Sequence, residues 1–138
     1  MYNTNMNESE DINTPDFWEP RPPIKSHLSD HAVPELSQIL ADRKIALLIS
    51  GGIAAFKAPL LARQLRKHGA DVTAFVSQEA LRYVTPDALA WSTNRPIVTE
   101  LSSRAEHLGD GQSFDAYILA PATYNSINKF RHGIADSL

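Results

Sequence analysis

The distribution of apolar residues predicts a chain in which short buried strands alternate with helices. Nearly continuous apolar runs occupy 44–50, 71–76 and 114–120, and residues that favour turns bound each of them. Short runs of this kind are typical of strands covered on both faces of a parallel sheet. Helical segments separate them, and Pro96–Thr99 is at most a brief edge strand. The order is therefore β-α-β-α-(β)-β-α, an incomplete doubly wound sheet.

Start and stop residues place the helical segments. We expect them to span about 53–67, 78–83 and 87–92, with a last one starting near 125. The first ends at His68-Gly69, as helices commonly do, and Pro59 lies early enough to mark a restart. This helix joins the first two strands in a βαβ unit, which makes those strands a parallel pair.

The N-terminal part of the chain differs in composition from the rest. Residues 1–29 are polar and proline-rich, which predicts a disordered or loosely attached arm in which Phe17 and Trp18 could contact a neighbouring surface. Apolar residues at helical spacing predict a leading helix over about 31–42. We therefore divide the chain into an arm, 1–29, and one domain, 30–138.

Composition narrows the functional classes. The chain has 138 residues, 16 acidic and 13 basic, so its net charge of −3 gives no reason to expect nucleic acid or a membrane surface as a partner. It has no cysteine, which excludes thiolate metal sites and thiol nucleophiles within these residues. No apolar run is long enough to span a membrane, and the polar N-terminus is unlike a signal peptide. We expect a cytoplasmic protein.

A glycine turn between the first strand and its helix is the first candidate for chemistry. Ser50-Gly51-Gly52 follows the strand, and backbone N–H groups at such a turn favour phosphate. The dinucleotide pattern is missing because no third glycine follows, and Ser77 ends the second strand where an acidic ribose contact would stand. A Walker-type phosphate loop is missing as well, because Gly51–Lys57 lacks the Gly-Lys-Ser/Thr ending of that motif. A mononucleotide is therefore favoured over a dinucleotide.

Two further segments belong to the same edge of the predicted sheet. Ser77 is either a ligand contact, the N-cap of the next helix, or both, and Pro121–Thr123 follows the third strand. His107 lies in the loop that enters that strand, where it is either a proton donor or acceptor or an ordinary surface histidine. The other histidines lack the spacing of ligands, so no metal site is expected.

Two stretches carry a resemblance to a known family. Residues 50–86 contain the glycine turn followed by Ile-Ala-Ala-Phe-Lys, then Leu-Arg-Lys-His-Gly-Ala-Asp-Val, and end in Val-Thr-Pro. Residues 107–138 contain a histidine, then Ala-Pro-Ala-Thr, then Gly-Ile-Ala-Asp. In this order the motifs resemble the flavoproteins that include phosphopantothenoylcysteine decarboxylase. The resemblance covers about 44–138.

The resemblance implies a flavodoxin-like or Rossmann-like three-layer α/β sandwich with a parallel sheet, C-terminally incomplete. It implies FMN as the cofactor and a homo-oligomer, a trimer or a multiple of one. His107 falls on the family's active-site histidine. The cofactor-binding residues implied are Gly51, Gly52 and Ile53 for the phosphate, Ser77 through its hydroxyl, and the turn formed by Pro121, Ala122, Thr123 and Tyr124.

The implied activity is flavin-dependent decarboxylation of a cysteine conjugate, a small molecule with a cysteine carboxylate, in coenzyme A biosynthesis. Tyr124 replaces the family's usual small residue, and the later substrate motif and catalytic cysteine are absent from these residues. Two alternatives stay open: a non-catalytic flavin-binding or regulatory subunit, and a related flavin enzyme acting on a peptidyl-cysteine or prenyl substrate.

Overall fold

The computed structural model describes residues 31–100 and 113–136, which form a parallel sheet with helices. The strands are β1 (Lys44–Ile49), β2 (Asp71–Val76) and β3 (Ala116–Leu119). The helices are α1 (Ala58–Lys67), α2 (Pro86–Thr93) and α3 (Tyr124–His132), with short 3-10 helices at Ile53–Lys57 and Ala80–Arg82. The α/β class predicted from the sequence is confirmed. The predicted arm, 1–29, and His107 lie outside the described residues.

The strand order is β2-β1-β3, with β1 parallel to both neighbours. Leu47, at the centre of β1, pairs with Ala74 on one side and with Ile118 on the other. The chain thus leaves β1 towards one side and later crosses to the opposite side for β3. All three strands end at one edge, and the step between β1 and β3 is the kind of switch point where open α/β sheets bind ligands.

One face of the sheet packs against α1 and α2 and contains the main core. Alternate strand residues point to this face because side chains alternate along a strand. Alanines on α1 allow the helix to lie close to the sheet, and each fully buried large aliphatic side chain stabilises the fold by about 1.5–3 kcal/mol. The core includes Ile45, Leu47, Ile49, Val72, Ala74, Val76, Ala58, Ala62 and Leu89.

The opposite face of the sheet is only partly covered among the described residues. Phe75 is buried there, and its ring meets Phe114 edge-on at 5.7 Å, while Phe114 meets Tyr117 at 5.6 Å. The prediction of a buried strand over 114–120 is wrong in part, because Ala116 and Tyr117 are exposed. The physical reason is that β3 is an edge strand of the described sheet and pairs on one side alone.

The predicted leading helix over 31–42 is not formed. The chain runs without regular structure until a turn at 39–42, and its N–H groups bond elsewhere. Leu36 donates to the carbonyl of Lys67 at 2.8 Å, and Leu40 donates to the carbonyl of His68 at 2.9 Å. These carbonyls belong to the end of α1, where helices lack internal partners. The segment therefore caps α1 through its backbone and cannot also form its own helical turns.

Two smaller predictions are refined by the structure. The helix expected over 78–83 is reduced to the single 3-10 turn at Ala80–Arg82. The segment Pro96–Thr99 contributes one bridge, in which Val98 pairs with Phe75, and this agrees with a brief edge strand at most. Within the described residues, no helix has the length and apolar character needed to cross a membrane.

Arg66 joins three parts of the chain on the outer side of α1. Its guanidinium donates to the carbonyl of Ser92 at 3.0 Å and to that of His31 at 2.9 Å. Burial, followed by the nearby Arg63 guanidinium, lowers the pKa of Arg66. Arg63 itself lies over the ring of Trp91 at 4.3 Å, and the His31 ring is 6.3 Å from the same indole. The leading segment, α1 and α2 are thereby held together.

Asp115 connects the start of β3 to the start of β1. One carboxylate oxygen accepts from the backbone N–H of Lys44 at 2.8 Å, and the other lies 3.3 Å from the Arg43 guanidinium. The Lys44 hydrogen bond is the largest of the influences that lower the pKa of Asp115 below its ordinary value of 3.8. The charged carboxylate therefore helps to fix the register of β3 at the amino end of the sheet.

Candidate functional site

The carboxyl ends of the three strands bring the predicted site segments together. Ser50 follows β1, and its hydroxyl donates to the carbonyl of Pro121, which follows β3, at 2.5 Å. Ser77 follows β2 and is buried, as is Ser50. The three loops thus form a polar rim at one edge of the sheet, as the sequence predicts for a doubly wound fold.

Gly51 is required by close packing, Gly52 is only tightly packed, and neither glycine has an unusual backbone conformation. A Cβ atom on Gly51 would lie 2.3 Å from the Cβ of Glu79, and one on Gly52 would lie 3.3 Å from Thr123 Cγ2. Gly51 therefore lets the loops after β1 and β2 touch. Among the described residues, the backbone N–H groups of Gly51, Gly52 and Ile53 have no acceptor. The turn thus presents a row of free donors, which is the requirement for binding an anion.

The loop after β3 is fixed by an N-cap. Thr123 Oγ1 accepts a hydrogen bond from the N–H of Ser126 at 3.2 Å, and the two hydroxyls are 2.9 Å apart. This arrangement starts α3 at Tyr124, because a threonine side chain can replace one missing backbone acceptor in the first turn. Ala122 and Tyr124 are exposed, the latter by 89%. The peptide bond between Ala120 and Pro121 is cis.

Ser77 has a local structural role as well as a place at the site. Its hydroxyl accepts from the N–H of Ala80 at 3.3 Å, which supports the 3-10 turn that follows. The residue also lines the cavity at this edge. The two roles considered from the sequence, a cap and a residue facing the ligand edge, are therefore compatible in one side chain.

A cavity of about 550 Å³ extends from this edge over the partly covered face of the sheet. Strand residues form its floor, and α3 with the turn after it forms a wall. Its volume is within the range of small-molecule sites, about 300–1,000 Å³. The lining residues include Leu48, Ser50, Gly51, Phe75, Ser77, Glu79, Leu119, Thr123, Asn125, Ser126, Lys129, Phe130, Ile134 and Asp136.

The predicted site residues fall into three groups. Gly51, Ser77 and Thr123 line the cavity. The second group adjoins it in sequence, in the same two loops, without lining it: Gly52, Ile53, Pro121, Ala122 and Tyr124. His107 lies outside the described residues. Sequence reasoning did not single out the α3 residues, although Ser126, Lys129 and Phe130 have the i, i+3, i+4 spacing of one helix face.

Charge at the cavity comes from three of its described lining residues. Glu79 and Asp136 are acidic and Lys129 is basic. Lys129 Nζ lies 2.7 Å from Asp136 Oδ1. Within 31–100 and 113–136 no cluster of three or more His, Asp or Glu side chains is arranged to hold a metal ion. The arrangement offers backbone donors, hydroxyl groups and one ion pair, which suits an organic ligand with an anionic group.

Comparison with known proteins gives a consistent result. A model of the flavoprotein family matches residues 34–138. The coenzyme A biosynthesis bifunctional protein CoaBC of Thermococcus kodakarensis is 39% identical over 105 residues, which are 73% of this chain and 26% of that protein. The probable phosphopantothenoylcysteine decarboxylase of Streptococcus mutans is 31% identical over 101 residues, which are 70% of this chain and 56% of that protein.

A solved structure supports the same family assignment. The crystal structure of the FMN-dependent cysteine decarboxylase SpaF aligns with a TM-score of 0.63 at 25% identity, over 70% of this chain and 59% of that chain. The chain spans about a quarter of the length of CoaBC and just over half of the length of the Streptococcus mutans protein. Since the family match covers most of the sequence, this chain belongs to the flavoprotein family, among the proteins related to phosphopantothenoylcysteine decarboxylase.

Proposed function

We propose that this chain binds FMN at the β1/β3 edge and is the flavin-binding part of a cysteine decarboxylase of coenzyme A biosynthesis. The observation that carries the proposal is the cavity at the switch point, bordered by the free N–H groups that follow β1. In the flavodoxin-like strand order, a mononucleotide binds at this step of the sheet. The names of the relatives supply the reaction class, and a cytoplasmic location is part of the proposal.

The residues at the site fit a phosphorylated flavin. Backbone N–H groups of Gly51, Gly52 and Ile53 would hold the phosphate, because oriented amides bind phosphate without needing a cation. The Ser77 hydroxyl would contact the ligand, and the turn from Pro121 to Tyr124 would form the second binding segment. The cavity has the volume for such a ligand, and its apolar floor, with Phe75 and Leu119, suits a flat ring system.

The chain's own contribution to the reaction would be binding, orientation and proton transfer. FMN, when bound, supplies the capacity to oxidise the cysteine part of the substrate as carbon dioxide leaves. The protein orients the flavin through the two loops and buries its polar end. We propose that His107, which precedes β3 in the sequence, gives or takes the proton that the reaction requires.

A flavin titration tests the proposal. FMN added to the purified protein should give a saturable change in flavin fluorescence and a shifted flavin absorption band. Ser77→Ala should weaken binding about fivefold, the effect of losing one hydrogen bond of about 1 kcal/mol. Ser37→Ala is the matched control, since Ser37 bonds to His68 at the far end of α1. A protein that leaves the FMN spectrum unchanged at every concentration would refute the proposal.

The substrate is tested separately. Carbon dioxide release from phosphopantothenoylcysteine should exceed release from cysteine-terminated peptides, and His107→Asn should abolish it without changing FMN affinity. The reverse preference would assign the chain to a peptide-modifying flavin enzyme. FMN binding without release from either substrate would favour a non-catalytic flavin-binding subunit.

We also propose that the chain works as a homo-oligomer. Ile53, Phe56 and Leu60 share one side of the segment that starts α1, and they are exposed by 72%, 54% and 65%. An apolar stripe of this size beside a binding site is typical of a protein interface. Light scattering after size-exclusion chromatography should give a mass of several subunits, and Phe56→Glu should reduce it. A monomer at high protein concentration would contradict this proposal.

A further inference from the structure

Lys129 is the single basic residue among the described residues that line the cavity. It occupies the α3 face that also carries Ser126 and Phe130, and it begins the last turn of the helix. Its side chain is 31% exposed, and its ammonium group lies 2.7 Å from the carboxylate of Asp136, which is 56% exposed. A lysine ammonium has three donors, so this ion pair leaves capacity for a second acceptor.

The ion pair closes the turn that follows α3. The N–H of Ile134 bonds to the carbonyl of Lys129 at 2.9 Å, and Gly133, with φ of 64°, ends the helix. This geometry returns Asp136 to the same wall of the cavity that carries Lys129. The cation is therefore held at the wall of the cavity by a carboxylate that lines the cavity with it.

The two acidic side chains of the lining oppose the binding of a phosphate, which the backbone donors of the glycine turn favour. Glu79 and Asp136 give the described lining two negative charges against one positive charge. A phosphate of about two negative charges would be repelled by both acids, whereas a charge-assisted hydrogen bond to an ammonium is roughly twice as strong as a neutral one. The cation thus has two competing anionic partners, one from the protein and one from the ligand.

We infer that Lys129 is the counter-ion of the ligand's phosphate and that Asp136 competes with the ligand for it. The inference rests on the proposed binding of FMN and adds the residue that makes binding depend on the phosphate. It requires the two members of one ion pair to have opposite effects on affinity. An ion pair that served only to hold the turn would give effects of the same sign.

The test is a titration of the purified protein with FMN and with riboflavin, which has the same ring and no phosphate. Lys129→Gln should weaken FMN binding about tenfold, the loss expected for one charge-assisted contact, and change riboflavin binding less than about twofold. Lys129→Arg should retain FMN binding within about threefold because the charge is kept. Asp136→Asn should tighten FMN binding by about threefold, because it removes the competing charge.

Arg131→Gln is the matched control, since Arg131 is a basic residue of the same helix that does not line the cavity. It should leave both affinities unchanged, and urea midpoints should verify that all variants are folded. Equal losses of FMN and riboflavin in Lys129→Gln, or weaker FMN binding in Asp136→Asn, would overturn the inference and leave the proposed function standing. A wild-type protein that binds neither flavin would overturn the proposed function itself.

Discussion

The contact between the loops after β1 and β2 leads to a quantitative prediction for Gly51→Ala. The new Cβ atom would lie 2.3 Å from Glu79 Cβ and 3.2 Å from the carbonyl carbon of the same residue. The first distance is more than 1 Å shorter than an ordinary contact of about 3.5–4.0 Å between carbons. Neither atom is the end of a flexible side chain, so one of the two loops must move.

Overpacking of this kind typically costs about 1–3 kcal/mol. With a urea m-value of about 2 kcal/mol/M, the unfolding midpoint of Gly51→Ala should fall by about 0.5–1.5 M. The assay is urea unfolding followed by circular dichroism. Glu79→Gly in the same chain removes the main clash, so the double variant should recover at least about 1 kcal/mol relative to additivity.

Gly133→Ala is the control for loss of a glycine without a clash. No atom of the described residues lies within 4 Å of its added Cβ, but φ is +64°, so the cost is backbone strain of about 1 kcal/mol. Glu79→Gly should not relieve it. If Gly51→Ala unfolds within 0.3 M of wild type, or if Glu79→Gly gives no recovery, the assignment of Gly51 to loop packing is refuted.

Three further predictions follow from contacts away from the cavity and at its rim. Because the folded pKa of Asp115 is lowered, its contribution to stability is present above its ordinary value of 3.8 and is lost as pH falls through the lowered pKa. Urea midpoints of wild type and Asp115→Asn should therefore differ at pH 7 and converge as the pH falls below 3.8, and a constant difference would contradict this linkage. Arg66→Met should lower the free energy of unfolding by about 1–3 kcal/mol, because the carbonyls of Ser92 and His31 lose their donor; an unchanged urea midpoint would argue against that role. Tyr124→Ala should increase the fluorescence of bound FMN while Tyr124→Phe leaves it unchanged, since an exposed ring at the loop can stack on a flavin; equal fluorescence in both variants would exclude such stacking.

The central β1-α1-β2 unit could be predicted because local chemistry specifies it. Strand β1 is a continuous apolar run that ends in a glycine turn, and Pro59 lies in the first turn of α1. Gly69, with φ of 93°, follows the end of that helix. Each of these signals acts over a few residues, so no knowledge of distant contacts was needed.

The leading segment was mispredicted because its structure depends on residues far along the chain. Leu36 and Leu40 have helical spacing, but the end of α1 uses their N–H groups. Ile39, one of the apolar residues with that spacing, is exposed. An apolar pattern indicates which residues could share a helix face, and it does not reveal a competing set of carbonyl groups.

Some residues of the candidate site could also be predicted from the sequence, whereas others could not. Gly51, Ser77 and Thr123 follow strand ends, and the topology alone brings strand ends together. Glu79 and Lys129 reach the cavity only because the loop after β2 and one face of α3 turn towards it. That orientation depends on packing, which sequence spacing restricts to one helix face but does not determine.

The contacts of Arg63 and His31 with Trp91 give the molecule an internal optical reporter. The chain has two tryptophans, so Trp18→Phe would leave Trp91 as the single source of indole emission. A guanidinium at 4.3 Å and an imidazole at 6.3 Å are both within range to alter that emission. Undocking of the leading segment would remove the imidazole while the rest of the sheet stayed folded. Time-resolved fluorescence could therefore measure local opening of this segment separately from global unfolding.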